Sequence, residues 1–385
     1  MNNALADLIK ISNVTGRDAT LVQAGGGNTS AKTADRKYMY IKASGTALKD
    51  MSIKKGWRKL RLDVALTIIE DKLIAMLGTQ AREIEVKNRL LLACDDKIRG
   101  QARPSLESHF HALLDKCVVH LHPQAVLAYT CAKNGREKLQ KLFKNEKFPP
   151  VWVPYVGLGY MLAKKIKTIT SNYKNRYGRN PAIIFLQNHG LAVTANSAGA
   201  VLQLVRRVAK TCNSKLKQLK PTKVKPVSSR TVSDTKLCIC RAFFEATGRH
   251  TSISYFCNET IAAFWRQTNA KKLLSSGVLT PDELLYANGP AMWVDKCNST
   301  AIAAKLRTQI KNGLNPSVAF LVKGVGLFIA GSEKIAPAIS EIVTSSLFIR
   351  ANASCLGGIC GLNKRQQDFI KQWETDAFRK KLAGG

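Results

Sequence analysis

The chain has 385 residues, 45% of them hydrophobic, and a formal net charge of +34 from 60 Lys and Arg against 26 Asp and Glu. That length accommodates two or three domains with sizeable cores, and the apolar content excludes wholesale disorder. No uninterrupted apolar run reaches the roughly 20 residues of a membrane span, and the opening Met1–Asp7 lacks the basic and apolar pattern of a secretory signal, so the expected location is the cytoplasm with no membrane partner.

The first 20 residues read as a short amphipathic helix, with Leu5, Leu8 and Ile9 on one side, followed by a polar turn. Gly25-Gly26-Gly27-Asn28-Thr29-Ser30 follows; glycines permit close approach of main-chain N–H groups to an anion, although neither the P-loop nor the dinucleotide fingerprint is completed. Residues 38–43 form a predicted strand that ends at Ser44-Gly45-Thr46, a second turn suited either to anion binding, with Lys42 nearby, or to capping the next element. Helices are expected over residues 83–94 and 106–116, the second introduced by Arg103-Pro104-Ser105 and carrying Glu107 in its first turn, where the helix field favours an ionised carboxylate.

The mostly apolar run Leu113–Val119 leads into Val119-His120-Leu121-His122-Pro123. Residues two apart in a strand share a face, so both imidazoles can reach one ion, and Pro123 marks the strand's end. A third histidine, His189, stands at the edge of the predicted strand 182–186, and a second predicted strand, 191–194, follows it. Three neutral nitrogens from two rigid strand ends, with a fourth position open, suit zinc or a similar divalent ion. His109 and His111 lie on the intervening helix and are expected to pack rather than to ligate.

Helices over 125–131, 159–172 and 198–217 alternate with these strands, which argues for a layered α/β domain. The proline- and hydroxyl-rich stretch 219–234 is the expected linker between a metal-binding domain, 1–218, and a second α/β domain, 235–385. Pro181–Ala195 is echoed by Pro316–Ala330, with Gly324 expected at the place of His189; the second domain then keeps the scaffold and lacks the metal site. Cys238 and Cys240 have the spacing to share one side of a strand, but no second pair completes a metal site. Residues 151–233 carry fifteen basic side chains and no acidic one, a field that attracts anions. Without zinc-finger spacing or an aromatic-laced RNA-binding strand, salt-sensitive adhesion is expected rather than specific nucleic-acid recognition.

In the same order, Gly-Gly-Asn28-Thr-Ser30, Ser44-Gly45, Pro104-Ser105-x-Glu107, His120-x-His122 and Asn188-His189-Gly190 resemble the class II aldolase and adducin family. The nearest likeness is to the aldolase portion of rhamnose-utilisation aldolase/dehydrogenase fusions, over essentially the whole chain and including the stretch 369–378; their glycine-rich nucleotide loop has no counterpart here, so no NAD is expected. The resemblance implies a layered α/β/α domain with a related second α/β domain. It implies zinc, or manganese or iron, on His120, His122 and His189, with Glu107 as acid/base and Asn28, Ser30, Ser44, Gly45 and Ser105 in an anion cradle. Leu106 departs from the pattern, because the sugar-phosphate aldolases of the family carry a second cradle serine there. The family also implies a homo-oligomer with subunit-shared sites.

The implied reaction is carbon–carbon cleavage or formation in a ketose or ketose phosphate through a metal-stabilised enediolate, without a lysine Schiff base. A sugar-phosphate epimerase or dehydratase would use the same apparatus. An adducin-like scaffold predicts loss of the three histidines, all of which are present. A degenerate enzyme that keeps them is the further alternative, suggested by Leu106 and the basic excess.

Overall fold

A computed structural model describes residues 3–96, 103–217, 219 and 222–372. The chain divides into two compact units, Met1–Thr130 with Arg136–Lys215, and Cys131–Gly135 with Leu216–Gly385.

The first unit is built on a seven-stranded sheet. Its strands are β1 (Asn28–Lys32), β2 (Tyr38–Lys42), β3 (Trp57–Arg61), β4 (Cys117–Leu121), β5 (Val151–Val153), β6 (Ile183–Leu186) and β7 (Gly190–Ala195). They lie in the order β3-β2-β1-β4-β7-β6-β5, antiparallel throughout except where β5 runs parallel to β6. Alternate side chains serve opposite faces: Val118, Ile184 and Ala192 join a core with Phe110, Leu162 and Ile166 from flanking helices. The helix expected over 106–116 is shorter, Ser108–Leu113, and Glu107 stands at its N-cap position without capping it.

Strand β1 corrects the expectation of a turn through Ser30. Asn-Thr-Ser-Ala-Lys has little apolar content, yet every residue is buried. Its polar atoms find partners inside the unit: Thr29 Oγ1 meets Ser12 Oγ at 2.6 Å, and the fully buried Lys32 Nζ donates to the carbonyls of His111 and Asp115 at 2.7 Å each. Burial, with Arg36 nearby, lowers the Lys32 pKa to about 7.

The second unit contains β8 (Ile253–Phe256), β9 (Met292–Val294), β10 (Ala319–Val322) and β11 (Gly326–Ala330), ordered β8-β11-β10-β9. Strand β8 is antiparallel to β11, β11 is antiparallel to β10, and β10 is parallel to β9. The first unit's β4, β7, β6 and β5 pair in the same relations along that order. Both faces are covered by helices: Ala319, Leu321, Leu327 and Ile329 face one core, and Phe320, Val322, Phe328 and Ala330 the other. The second region is thus an α/β unit that repeats the strand pattern of the first.

The register moves the expected correspondence by one residue. Leu186 pairs with Gly190 across the first hairpin and Val322 with Gly326 across the second. The left-handed residue of each turn is Asn188, with φ +53°, and Gly324, with φ +77°. Gly324 therefore stands at the place of Asn188, and Val325 at that of His189. Across the neighbouring strand, His120 lies opposite Ala192 and Tyr255 opposite Phe328, so Tyr255 occupies the place of His120 and Cys257 that of His122. The Tyr255 hydroxyl donates to the Val325 carbonyl at 2.9 Å, tying together two positions that carry histidine in the first unit.

Cys238 and Cys240 lie on the helix Ser229–Thr247 rather than on a strand. That helix also takes in the last six residues of the expected linker, two of whose members, 220 and 221, lie outside the described residues. The stretch 369–378 is described only to residue 372.

Candidate metal centre

Strand β4 is buried along its length and holds His120 between Asn28 of β1 and Ala192 of β7. His122 lies one residue beyond the strand, where Pro123 turns the chain into the helix Gln124–Thr130. His189 comes from the tight β6–β7 hairpin, whose turn is fixed by Asn188 N–H donating to Thr130 O at 3.0 Å and His189 N–H donating to Leu186 O at 3.2 Å. Gly190 is required by contact rather than by a turn: a Cβ there would lie 2.4 Å from Leu121 O and 2.9 Å from His122 Cδ2. The absence of a side chain lets the two histidine-bearing segments meet.

His120 Nε2 lies 3.2 Å from the Nε2 atoms of both His122 and His189. All three residues are buried, and their candidate ligand atoms fall within 4.8 Å of one another. His120 Nδ1 donates to the Leu191 carbonyl at 3.1 Å, which leaves Nε2 as its lone-pair nitrogen. Burial, and then His189 and His122, hold its pKa well below the usual histidine value, so the ring is neutral.

One proton can bridge two of these nitrogens but not three, whereas a cation takes a lone pair from each. Tetrahedral zinc with nitrogen ligands at about 2.0–2.1 Å separates them by roughly 3.3 Å, close to the 3.2 Å contacts here. The three imidazoles therefore fit a divalent ion. Glu107 faces the same point, with Oε2 3.5 Å from His120 Nε2 and Oε1 3.5 Å from His189 Nε2.

The other sequence-predicted residues take different positions. Asn28 is 6% exposed and turns its amide to Glu107, donating to Oε2 at 2.6 Å. Ser30 is fully buried, its hydroxyl 2.8 Å from His111 Nδ1. The chain around Ser44 and Ser105 is joined by the antiparallel Ala43–Pro104 bridge, with Ser44 N–H donating to Arg103 O and Ser105 N–H to Lys42 O. Gly45, exposed at φ +87°, continues that turn. Ser105 Oγ accepts from the Glu107 N–H at 3.3 Å, placing this serine beside the carboxylate-bearing segment.

Lys42 has a use its proximity to the turns did not reveal. Its Nζ donates to Gly25 O at 2.7 Å and Gly27 O at 2.6 Å, so it ties the glycine turn to β2. His109 and His111 are fully buried, as packing residues should be. Burial brings the His109 pKa to about 4 and holds that of His111 well below normal, with Lys32 adding to the second effect. The Phe110 ring links this helix to the site, its centroid 4.6 Å from that of the His111 ring and 5.9 Å from that of the His120 ring.

Residues 6–216 match the family model described as the class II aldolase and adducin N-terminal domain. A Bacillus subtilis (strain 168) protein named uncharacterized oxidoreductase YuxG is 24% identical over 434 aligned residues, covering 98% of this chain and 58% of that protein. The chain thus spans less than two thirds of this curated relative's length. Among solved structures, the N-terminal class II aldolase domain of a conserved Thermoplasma acidophilum protein has TM-score 0.45 and 24% identity, over 56% of this chain and 94% of that one. L-fuculose-1-phosphate aldolase from Thermus thermophilus has TM-score 0.33 and 14% identity, over 55% and 91%.

Proposed function

The chain belongs to the class II aldolase and adducin family, and we propose that it is a divalent-metal-dependent lyase cleaving or forming a carbon–carbon bond in a ketose. The observation that carries this reading is the convergence of the His120, His122 and His189 nitrogens with the Glu107 carboxylate at one buried point. When bound by the three imidazoles, a divalent ion supplies Lewis-acid stabilisation of the negative charge that develops on the ketose oxygens. The resident ion in this reading is zinc, for which the nitrogen set and spacing are suited, with manganese and iron as alternatives.

Glu107 is the proton carrier. Its two oxygens face His120 and His189, and the Asn28 amide holds one of them by a hydrogen bond to Oε2. A carboxylate in that place can take a proton from a substrate hydroxyl and return it to the carbon released by bond cleavage. The Leu191 carbonyl fixes the His120 tautomer, and Ser105 steadies the backbone entering Glu107. Ser44, Gly45 and Ser105 form the proposed receptor for the substrate's polar end; Asn28 and Ser30 serve it indirectly, through Glu107 and His111.

The resemblance to rhamnose-utilisation aldolases supports a deoxyketose, free or phosphorylated, and Leu106 favours the free sugar. We place the chain in the cytoplasm as a homo-oligomer; among the described residues no helix is long and apolar enough to cross a membrane. The expected 1–218, 219–234 and 235–385 division is retained as a proposal for the boundaries of the catalytic and accompanying units.

Metal content per chain, measured by plasma mass spectrometry beside a His120→Ala/His122→Ala variant, tests the reading. About one divalent ion in the parent and almost none in the variant is expected, followed by aldehyde release from a ketose panel in the parent alone. A parent that takes up neither zinc, manganese nor iron after dialysis would refute it.

A further inference from the structure

The second unit holds a cavity of about 210 Å³ where β9 and β10 begin, at the end of its sheet away from the β10–β11 hairpin. Four segments far apart in sequence wall it, and hydrogen bonds tie them to one another. Asn288, which ends the helix Pro281–Ala287 in a left-handed conformation, donates from Nδ2 to Pro316 O at 2.9 Å. Gln309, on the helix Ser299–Lys311, meets Ser317 twice: Nε2 donates to Ser317 Oγ at 2.8 Å, and Oε1 accepts from the Ser317 N–H at 2.9 Å.

The last wall is helical over residues 364–372. Reciprocal hydrogen bonds between Asn363 and Gln366, at 2.8 and 2.9 Å, cap its start, and the fully buried Ile370 docks it. Leu362 N–H donates to Val278 O at 2.7 Å, and Gln367 Nε2 donates to Leu362 O at 2.8 Å. The half-buried Lys371 next to Ile370 is thus carried on a fixed element rather than on a loose end.

The lining has two chemical characters. Val278, Leu284 and Leu314 give it an aliphatic part. Lys371 is its one charged residue among those described, no acid accompanies it, and the Lys371 side chain has no hydrogen bond or ion pair among the described residues. Asn288 and Gln367 each use an amide N–H on a main-chain carbonyl, which leaves their side-chain oxygens as acceptors. A single cation beside an aliphatic surface selects a monoanion with an apolar body; a phosphate dianion calls for an Arg fork or a second cation, and the described lining has neither.

We propose that this cavity is a binding site for a small aliphatic hydroxycarboxylate. The carboxylate pairs with Lys371, the alkyl part packs on Val278, Leu284 and Leu314, and the hydroxyl donates to Asn288 or Gln367. The site lies wholly within the second unit and uses none of the histidines, so it goes beyond the lyase reading.

The full chain is acetylated with an N-hydroxysuccinimide ester, with and without 2-hydroxy-4-methylpentanoate, and each lysine is followed by mass spectrometry. The acid should protect Lys371 and leave Lys364, exposed on the same helical segment, reactive. This footprint needs no variant. In isothermal titration, Lys371→Gln should weaken the acid by about 10–100-fold, the range of a hydrogen bond to a charged group. Lys364→Gln, which loses the same charge outside the cavity, should bind like the parent. The neutral 2-hydroxy-4-methylpentanamide should not distinguish the parent from Lys371→Gln. Urea unfolding midpoints of both lysine variants should match the parent's, which separates loss of the site from loss of the fold. Equal weakening in both variants would assign the effect to the general field of the +34 chain and overturn the proposal. Absent binding of the acid, equal protection of Lys364, or unchanged affinity in Lys371→Gln would overturn it too. Metal content and lyase activity enter none of these readouts, so their failure is separable from failure of the metal-centre reading.

Discussion

Replacing Gly190 by Ala tests whether the histidine site depends on close approach of two backbones. The added Cβ would lie 2.4 Å from Leu121 O and 2.9 Å from His122 Cδ2. A backbone carbonyl cannot rotate aside as a side chain can, so β7 and β4 must separate by about 1 Å to restore ordinary contact. Overpacking of this kind costs about 1–3 kcal/mol, a substantial part of a typical domain's stability. The same displacement moves His189 away from His122, and misplacement by about 1 Å can lower catalysis by about 100-fold. Gly199→Ala supplies the contrast: that residue is in the helix Ala198–Asn213 with no atom within 4 Å of an added Cβ, and Ala should stabilise the helix by up to about 1 kcal/mol. Urea unfolding of both variants, with metal content per chain, is the assay. If Gly190→Ala matches the parent in midpoint, slope and bound metal, the close-approach argument is refuted.

Glu107→Gln keeps the shape of the side chain but removes its proton-accepting charge; ketose cleavage should fall by about 10²–10⁴-fold while metal content stays near that of the parent. Loss of metal along with activity would assign Glu107 to ion binding instead. Arg350 donates from Nη2 to Glu283 Oε1 at 2.7 Å, with side-chain exposures of 0% and 2%, so Arg350→Met should destabilise the protein by about 3–5 kcal/mol in urea unfolding. A loss below about 1 kcal/mol would show that Glu283 is readily solvated or neutralised. His109 has a folded pKa lowered from 6.5 to about 4 by burial, so between these values the unfolded chain binds more protons and stability falls as pH decreases. The contribution is full above about pH 6.5 and lost towards pH 4, a change of about 3 kcal/mol that His109→Phe should remove from the unfolding-versus-pH curve. An unchanged curve in that variant would assign the acid sensitivity to other groups.

The candidate ligands were legible because their information is local. His120 and His122 stand two apart on an apolar run, and strand periodicity alone gives them a common side. His189 stands beside a glycine at a hairpin end, and the ordered set of short motifs supplied Glu107 and the family resemblance. Asn28 and Ser30 were legible as polar residues but not by their contacts. Their partners, Glu107 and His111, are 79 and 81 residues away and meet them only through β1–β4 pairing and the packing of the helix Ser108–Leu113. Lys42 likewise reaches back to the glycine turn only after β2 is in place.

The sequence by itself determined the layered α/β character, the three histidines and the existence of an internal echo, because each depends on the chemistry or spacing of neighbouring residues. Tertiary structure decided where each lone pair and hydroxyl points and the register of the echo. It placed Val325, rather than Gly324, at the position of His189. One residue of register redirects a side chain while leaving composition unchanged.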